Sequence, residues 1–250
     1  MKQKPPFTII YKDDSIVVVS KISGLAVCRD RYDVEREHLD KMLGDVLHKR
    51  LYLVHRIDAD TSGLVIFAKD EGAHKALSQA FENRLVHKEY IAVLQGRPVW
   101  KTADCDYALV PDGNKKHETI VDKFHGKKSL THFTVLCVCG NWTLVLAEPE
   151  TGRTHQIRIH AASMGHPVVC DPIYGSNKPL YLSALKKKYR GDSENERPII
   201  NRLALHASKI ILPDYDGHGI KTFEAPLPRD MNALITQMKK NGKEGGAQPL

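Results

Sequence analysis

Two β-forming runs separated by a two-residue turn constrain the fold of this chain more than any other feature. Residues 132–139, HFTVLCVC, and residues 142–149, WTLVLAEP, flank Gly140 and Asn141. Both runs are rich in β-branched and aromatic residues, and a pair of turn residues between two such runs is a strong signal for a tight hairpin. The sequence therefore predicts an antiparallel strand pair over residues 132–149.

The rest of the chain alternates short β-rich runs with a few helical stretches. Strands are predicted within residues 7–27, 64–68, 88–99 and 203–213, and helices at residues 32–50, 73–85 and 153–165. We interpret the polar residues 101–128 as a long hairpin or insertion and residues 183–202 as a surface excursion. This order predicts an α+β fold around an antiparallel or mixed sheet. We expect one domain over residues 8–230, followed by a helix end and a flexible tail at 231–250.

The composition of the 250 residues is that of a globular protein, with 42% hydrophobic and 27% charged residues. No run of roughly 18 apolar residues occurs, so we expect no transmembrane helix, and the first residues lack the apolar segment of a signal peptide. The 37 Lys and Arg residues exceed the 30 Asp and Glu residues, which gives a net charge of +7. This excess favours a polyanionic partner, of which nucleic acid is the commonest.

The cysteines point to a reducing compartment. The chain has five of them, an odd number without any CxxC pair, which argues against a disulfide framework and against a zinc ribbon. They are Cys28, Cys105, Cys137, Cys139 and Cys170. We interpret them as reduced thiols of a cytoplasmic protein.

The stretch HRIDADTSGLVIFAKD, residues 55–70, sets a carboxylate beside a cation just before an apolar run. The segment IDADTSG is poor in strand formers, so we expect Asp58 on a loop that the following strand anchors. A carboxylate near Arg56 keeps a low pKa, stays ionised at neutral pH and can serve as a nucleophile. Alternatively, Asp58 and Asp60 cap a turn and Arg56 lies at the surface. A kinase catalytic loop is excluded, because Ile57 interrupts the motif and no Gly-rich phosphate loop is present.

A second stretch, EPETGRTHQIRIHAASMGHPVVCDPIYG at residues 148–175, concentrates basic side chains within eight positions. They are Arg153, His155, Arg158 and His160. On a helix, one of them can point at a buried carboxylate while others point at phosphates. A zinc site is not favoured, because histidines five residues apart suit one helical face poorly and no acid completes a triad.

Both stretches resemble signature motifs of the RluA-type pseudouridine synthases. The first is similar to HRLDxxTSGLLLxAK, and the second is similar to GRTHQIRxHxxxxGHPIxGDxxYG. Further similar segments are YKDDSIVVVSKISGL, KEYIAVLQG and RLALHASKIIL, which lie in family order from about residue 8 to about residue 228. The resemblance implies the pseudouridine synthase fold, with a central, mainly antiparallel sheet, flanking helices and a catalytic cleft. It also implies an enzyme that isomerises uridine in RNA to pseudouridine with no metal and no organic cofactor.

The resemblance assigns roles to residues of these motifs. Asp58 is the catalytic aspartate, a nucleophile toward either ribose C1′ or uracil C6. Arg56 enters the RNA helix where the target nucleotide leaves it, since the base must flip out before it can react. Tyr90 packs on the flipped base and helps proton transfer at C5, and Arg158 pairs with Asp58. Leu205 forms the floor of the uracil pocket.

Other residues of the motifs are expected to contact RNA. The full set is His55, Arg56, Thr61, Lys88, Arg153 and His155. The chain departs from the family at Ile22, where proline is usual, and at Cys170, where glycine usually precedes the aspartate. Neither position belongs to the expected catalytic set.

RNA recognition is expected to come from the catalytic domain itself. Many relatives carry an N-terminal S4 domain, and we expect none here because only about ten residues precede the first predicted strand. The basic segments 115–128 and 186–190 either contact RNA or form an ordinary solvated surface. We expect a monomer that acts on ribosomal or transfer RNA. The alternatives are a non-catalytic RNA-binding or chaperone protein on the same fold and a nuclease or N-glycosidase.

Overall fold

The computed structural model describes residues 5–29, 37–116, 118–186, 188–192, 194–215 and 219–244. The strands are β1 (Phe7–Lys12), β2 (Ile16–Lys21), β3 (Tyr52–Leu53), β4 (Ser62–Ala68), β5 (His87–Gln95), β6 (Thr102–Cys105), β7 (Leu109–Val110), β8 (Ile120–Val121), β9 (Thr131–Cys139), β10 (Trp142–Pro149), β11 (Leu205–Pro213), β12 (Ile220–Glu224) and β13 (Lys243–Glu244). The helices are α1 (Leu39–Leu47), α2 (Glu71–Glu82), α3 (Gln156–Ser163), α4 (Leu182–Leu185) and α5 (Arg229–Asn241).

These elements form two compact units. The first unit comprises the residues up to Lys88 together with His206–Pro226, and the second comprises Glu89–Leu205 together with the residues from Leu227 onward. Each unit combines a sheet with helices, so the predicted α+β class is confirmed.

The first unit is built on the strand order β1-β2-β4-β11, with β3 pairing along β4 and β12 pairing along β11. Among these described pairs, β4 and β11 run parallel and the others are antiparallel. All seven residues of β4 are buried, which explains its uninterrupted apolar sequence. α2 begins at Asp70, whose side chain accepts a hydrogen bond from the Ala73 amide at 2.8 Å. The helix then packs Leu77 into a core with Ile16 and Ile66.

The second unit is built on the antiparallel strand order β5-β10-β9-β13, with β6 pairing along β9. The predicted hairpin is confirmed, since Cys139 pairs with Trp142 across Gly140 and Asn141. Gly140 has a positive φ of 59°, a conformation that glycine adopts without strain. β7 and β8 form a separate two-stranded sheet inside the predicted insertion 101–128.

All three predicted helices have different bounds in the structure. The helix expected at residues 73–85 is α2, which spans Glu71–Glu82. The helix expected at residues 32–50 is α1, which ends where His48 adopts a left-handed φ of 50°, and residues 30–36 lie outside the described chain. The helix expected at 153–165 begins only at Gln156, because His155 has a left-handed φ of 55°. A histidine does not mark the end of a helix as a glycine does. The apolar pattern alone therefore predicted helices that are longer than α1 and α3.

Two segments expected to be polar surface or tail contribute to the core of the second unit. In the excursion 183–202, Leu185 and Ile200 are buried. The expected flexible tail is wrong as far as residue 244, because Met238 is fully buried and Lys243 pairs with Val138 of β9. A few apolar residues in a polar stretch were enough to anchor each segment. Residues 245–250 lie outside the described chain.

Candidate active site

The loop between β3 and β4 carries Asp58 in the first unit. Ile57 anchors this loop with a buried side chain, Arg56 is exposed and Asp58 is half-buried. The amide of Thr61 donates to the carbonyl oxygen of Asp58 at 3.1 Å, so a tight turn follows the aspartate. The loop therefore leaves the Asp58 carboxylate partly accessible, as a nucleophile requires.

A buried lysine that the sequence analysis did not single out holds this loop. Lys21, the last residue of β2, is 2% exposed. Its Nζ donates to the carbonyl oxygens of Ala59 at 2.8 Å and Thr61 at 2.5 Å, and a longer bond of 3.2 Å reaches Ile22. A buried ammonium is costly unless its three N–H donors find acceptors. The three carbonyls meet that need, so Lys21 ties the loop around Asp58 to the end of β2.

The residues that follow Lys21 add to this attachment. The hydroxyl of Ser23 donates to the carbonyl oxygen of Asp60 at 2.6 Å. Ile22, which stands where the family motif has proline, keeps an amide that donates to the carbonyl oxygen of Pro6 at 3.0 Å. This departure from the motif therefore exchanges the rigidity of proline for a backbone hydrogen bond.

The TSG sequence of the first motif fixes the start of β4 against β11. Ser62 lies opposite His206 and Gly63 opposite Ala207 in the parallel pairing. A Cβ atom on Gly63 would lie 2.2 Å from the carbonyl oxygen of Ala207, and its φ is +115°, so only glycine fits. The Ser62 hydroxyl and His206 Nδ1 are 3.0 Å apart in a fully buried hydrogen bond. The strand that follows Asp58 is thus a rigid support.

His55 is a neutral acceptor in this unit. Its Nε2 accepts a hydrogen bond from the Ile66 amide at 3.0 Å, and its ring stacks on Phe81 at a centroid distance of 4.7 Å. Burial, with a smaller contribution from the charge of Lys88, lowers the pKa of His55 to about 3. Burial lowers the pKa of Lys88 to about 8, which leaves that side chain mostly charged at neutral pH.

Thr61 also faces inward. Its side chain is 1% exposed, and its hydroxyl has no hydrogen-bond partner among the described residues. The buried Thr61 and the half-buried His55, which is bonded to the β4 backbone, favour a role for both in shaping the loop. Arg56 and Lys88 keep the charge that contact with RNA requires. Contacts of His55 and Thr61 with RNA stay a prediction.

In the second unit, a buried ion pair joins α3 to the loop that follows it. Arg158 and Asp171 are 1% and 0% exposed, and Nε and Nη2 of the arginine donate to the two carboxylate oxygens, both at 2.8 Å. Asp171 also accepts from the amides of Ile173 and Tyr174. Burial alone would raise the pKa of Asp171, but the hydrogen bonds and charge of Arg158 outweigh it and lower this pKa. Arg158 is therefore a charged group in a fixed orientation.

Tyr174 connects this ion pair to Thr119, the residue before β8, and to His155. Its ring centroid lies 5.4 Å from Cζ of Arg158, within the range of a cation–π contact. Its hydroxyl accepts from the Thr119 amide at 3.0 Å and lies 3.0 Å from Nδ1 of His155. His155 is thus held in the network around Arg158, and its expected contact with RNA stays a prediction.

Gln156 orders the loop in front of α3. Its Oε1 accepts from the Thr151 hydroxyl at 2.7 Å and from the Arg153 amide at 3.0 Å, and its Nε2 donates to the carbonyl oxygen of Leu130 at 2.9 Å. Arg153 itself is half-buried, and its Nε donates to the carbonyl oxygen of Lys128 at 3.3 Å. Hydrogen bonds of the Gln156 and Arg153 side chains therefore hold this part of the second motif against the backbone at Leu130 and Lys128.

Two further expected site residues lie at the core of the second unit. Tyr90 on β5 stands opposite Ala147 of β10 and is half-buried against that core. Leu205, the first residue of β11, is 2% exposed and belongs to the same core. Both side chains are thus supported by packing, a prerequisite for a pocket of fixed shape.

Cys170 explains how the second departure from the motif is accommodated. It adopts a left-handed φ of 58°, the conformation for which the glycine of the family is suited. Its buried Sγ donates to the carbonyl oxygens of Lys178 at 3.2 Å and Ile200 at 3.6 Å. Burial raises the pKa of this thiol to about 11, so it stays protonated and can serve as that donor.

The expected site residues fall into two groups, one in each unit. The first unit holds His55, Arg56, Asp58, Thr61 and Lys88, and the second holds Tyr90, Arg153, His155, Arg158 and Leu205. The pairing of Asp58 with Arg158 stays a prediction. Over the described part of the chain, no cluster of three His, Cys, Asp or Glu side chains is arranged for a metal ion, and no helix could span a membrane.

Sequence reasoning missed three residues that support the site. They are Lys21, Asp171 and Tyr174. The sequence did contain a signal for each of them. Lys21 ends an apolar strand, and Asp171 stands three residues before Tyr174 in the second motif. Their partners, however, are backbone carbonyls and side chains that only the fold brings near.

A family model described as RNA pseudouridylate synthase matches residues 15–163. The chain belongs to this family. It is 30% identical over 246 residues to ribosomal large subunit pseudouridine synthase D of Zymomonas mobilis, an alignment that covers 94% of this chain and 74% of the relative. It is 32% identical over 229 residues to the dual-specificity RNA pseudouridine synthase RluA of Vibrio vulnificus, with 88% and 84% of the two chains covered.

Solved structures agree with this membership. Human RNA pseudouridylate synthase domain containing 1 superposes with a TM-score of 0.68 at 26% identity, covering 91% of this chain and 87% of the other. Human RNA pseudouridylate synthase domain containing 4 has the same fold, with a TM-score of 0.69 at 23% identity and 92% of each chain covered. The predicted pseudouridine synthase fold is confirmed. The protein is an isomerase that converts uridine in RNA to pseudouridine.

Proposed function

We propose that this pseudouridine synthase modifies uridines of large-subunit ribosomal RNA. The proposal is supported by the relatives, which include ribosomal large subunit pseudouridine synthase D of Zymomonas mobilis and ribosomal large subunit pseudouridine synthase C of Vibrio cholerae. The latter is 33% identical to this chain over 234 residues. The net charge of +7 suits a polyanionic substrate.

Asp58 acts as the nucleophile in this proposal. The observation that carries the assignment is the loop itself, whose carboxylate is partly accessible while the backbone on its C-terminal side is bound by the ammonium of Lys21. After the target nucleotide flips out of the RNA, the carboxylate attacks ribose C1′ or uracil C6. The bond from N1 to C1′ breaks, C5 of the uracil bonds to C1′, the proton on C5 leaves to solvent, and N1 takes up a proton in its place. The carboxylate is released unchanged.

Other residues of the two motifs complete the proposed site. Arg158, which Asp171 holds in a fixed orientation, pairs its positive charge with the Asp58 carboxylate. Tyr90 packs on the flipped uracil and assists proton transfer at C5. Leu205 forms the floor of the uracil pocket. Arg56 fills the space that the base leaves, because a planar cation can both stack and bind phosphate.

We also propose that the enzyme acts in the cytoplasm as a monomer. All five cysteines are free thiols, as expected in a reducing compartment. Analytical ultracentrifugation of the purified chain, without RNA, tests the monomer.

Substitution of Asp58 by asparagine tests the catalytic assignment. We expect Asp58→Asn to abolish tritium release from RNA labelled at uridine C5, with RNA affinity within about threefold of the wild type. Asp60→Asn, two residues along the same loop, is the matched control and should keep most of the activity. Turnover by Asp58→Asn would remove Asp58 from the nucleophile role, and a wild-type protein that binds RNA without releasing tritium would be a binding protein only.

Mapping of pseudouridines in total RNA tests the substrate. We expect a strain that lacks this protein to lose one or a few pseudouridines from large-subunit ribosomal RNA, and plasmid-borne wild type but not Asp58→Asn to restore them. Loss confined to transfer RNA would contradict the proposed substrate while leaving the chemistry in place.

A further inference from the structure

Phe124 is an aromatic side chain that the second unit holds out into solvent. It is 91% exposed and lies in the turn after β8, within a segment that we call the arm and define as residues 106–129. Asp122 builds the turn beneath it, because its Oδ1 accepts from the amides of Phe124 at 2.8 Å and His125 at 3.1 Å. The Gly126 amide closes the turn on the carbonyl oxygen of Asp122 at 2.9 Å. The ring is therefore presented by a constructed turn.

The turn is braced against the neighbouring chain of the arm. Leu109 and Lys127 exchange backbone hydrogen bonds of 3.0 and 2.9 Å, and the amide of Asp122 donates to the carbonyl oxygen of Ala108 at 3.0 Å. A Cβ on Gly126 would lie 2.6 Å from the carbonyl carbon of Ala108, so this approach requires glycine.

Two polar clusters fasten the arm to the second motif. Thr119 binds the hydroxyl of Tyr174, the residue that packs on Arg158. At the other end, the hydroxyl of Ser129 lies 3.0 Å from Nε2 of the buried His160 on α3. The position of the arm is therefore set by the helix that carries the motif.

Lysines flank Phe124 in the sequence. Lys123, Lys127 and Lys128 are all exposed, and Arg153 of the second motif bonds to the backbone of Lys128. Segment 115–128 contains five lysines against two carboxylates. The lysines therefore outnumber the carboxylates, one of which, Asp122, is turned toward the backbone amides of the turn, and the segment carries a net positive charge.

This combination suits single-stranded RNA better than a protein. An exposed apolar residue alone has no special meaning. Protein interfaces bury a cluster of apolar side chains and exclude lysine from their centre, whereas the only other notably exposed apolar side chain among the described residues of the arm is Tyr107, at 37%. An aromatic ring among cations is the usual platform for an unpaired base, which stacks while flanking phosphates meet the charges.

We propose that Phe124 stacks on an unpaired nucleobase of the substrate RNA, while Lys123, Lys127 and Lys128 contact the adjoining phosphates. The inference rests on the proposed function, because it names the substrate feature that the enzyme reads outside its catalytic pocket. The arm selects RNA with a single-stranded nucleotide near the target uridine.

Three substitutions of Phe124 separate stacking from simple apolar contact. The probes are a fluorescein-labelled oligouridylate of about 12 nucleotides, within the usual range of single-strand sites, and an RNA duplex of similar length. We expect Phe124→Ala and Phe124→Leu to lower affinity for the oligouridylate about 10- to 100-fold, Phe124→Trp to retain it, and duplex affinity to change less than about twofold. Val99→Ala, at another fully exposed apolar position, is the control and should change neither.

The salt dependence of binding tests the lysines. We expect the combined substitution of Lys123, Lys127 and Lys128 by glutamine to reduce the slope of log affinity against log salt by about 2, because single strands lose about 0.7 per phosphate contact. Glutamine at the exposed Lys239 and Lys240 of α5 is the matched control and should leave the slope unchanged. Phe124→Ala should lower affinity without changing the slope.

Activity on large-subunit ribosomal RNA separates the arm from the chemistry. Phe124→Ala should raise KM about as much as it weakens binding and leave kcat unchanged. An active wild type whose Phe124→Ala variant binds and reacts normally would overturn the proposal for the arm alone. The proposal for the arm is also overturned if Phe124→Leu binds the oligouridylate as tightly as Phe124→Trp. It is overturned as well if Phe124→Ala changes the sedimentation of the protein and leaves its RNA affinity unchanged. Phe124-dependent binding without pseudouridine formation would instead overturn the proposed function.

Discussion

Substitution of Lys21 by methionine tests whether one buried ammonium group positions the Asp58 loop. The side chain is 2% exposed, and its Nζ donates to the carbonyl oxygens of Ala59 at 2.8 Å and Thr61 at 2.5 Å. Methionine fills a similar volume and adapts to irregular packing, but it has neither the charge nor the donors. The substitution therefore removes the hydrogen bonds and largely keeps the core.

Opposing contributions set the magnitude of the effect. Loss of a hydrogen bond from a charged donor costs about 1.5–3 kcal/mol, and the Thr61 oxygen loses such a bond. The Ala59 oxygen keeps a bond of 2.8 Å from the Gly24 amide, and removal of a buried charge recovers part of its desolvation cost. We expect the free energy of unfolding to fall by about 2 kcal/mol. Because a displacement of about 1 Å at a reacting group costs about 100-fold in rate, we expect kcat to fall about 100-fold with KM little changed.

Two measurements check this expectation. Tritium release from RNA labelled at uridine C5 gives kcat and KM, and urea unfolding gives the stability. Lys12→Met is the matched control, because Lys12 is an exposed lysine on the neighbouring strand β1, and it should change none of these quantities. The reasoning is refuted if Lys21→Met loses stability and keeps the wild-type kcat, since Lys21 would then be a core residue without influence on Asp58.

Two further predictions concern the first unit. Gly63→Ala should destabilise the protein by more than about 3 kcal/mol, since its Cβ would lie 2.2 Å from the carbonyl oxygen of Ala207; a thermal midpoint within a few degrees of the wild type would contradict this. Burial alone would raise the pKa of Asp13, but hydrogen bonds from the Ile16 amide and two tyrosine hydroxyls lower it to about 2. The ionised Asp13 stabilises the protein fully above the unfolded pKa near 4, and this stabilisation is lost as the pH falls through 2. Between about pH 5 and pH 2, the free energy of unfolding measured in urea should therefore fall by about 1 kcal/mol less for Asp13→Asn than for the wild type. This magnitude allows for solvent screening of the partly exposed group.

The parts of the fold that local chemistry determines were predictable from the sequence. The hairpin of β9 and β10 follows from Gly140 and Asn141 between two β-rich runs, and the structure pairs those runs as expected. The buried strand β4 follows from its apolar run, and the loop position of Asp58 follows from a segment that is poor in strand formers. In each case the signal and the structure occupy the same few residues.

Features that depend on distant partners could not be predicted in the same way. The left-handed His155 shortens α3, and nothing in its residue type required that conformation. Met238 is buried although it stands in a polar, Lys-rich stretch, because α5 packs it against the core of the second unit. Asp171 was visible in the motif, but its bidentate contact with Arg158 spans 13 positions and depends on how the intervening loop turns.

Both units use the same physical device, a buried cation that the unit itself holds in place. In the first unit, backbone carbonyls bind Lys21, and in the second unit Asp171 binds Arg158. Each cation lies among partners that belong to the folded chain, so neither must be ordered when RNA arrives. In the mechanism that we propose, binding energy from the RNA is then available for extruding the uridine, a step that costs a few kcal/mol, instead of for assembling the proposed catalytic groups. A chain that kept Asp58 but lost either cation would have to order its site with each substrate, and its kcat would fall more than its affinity.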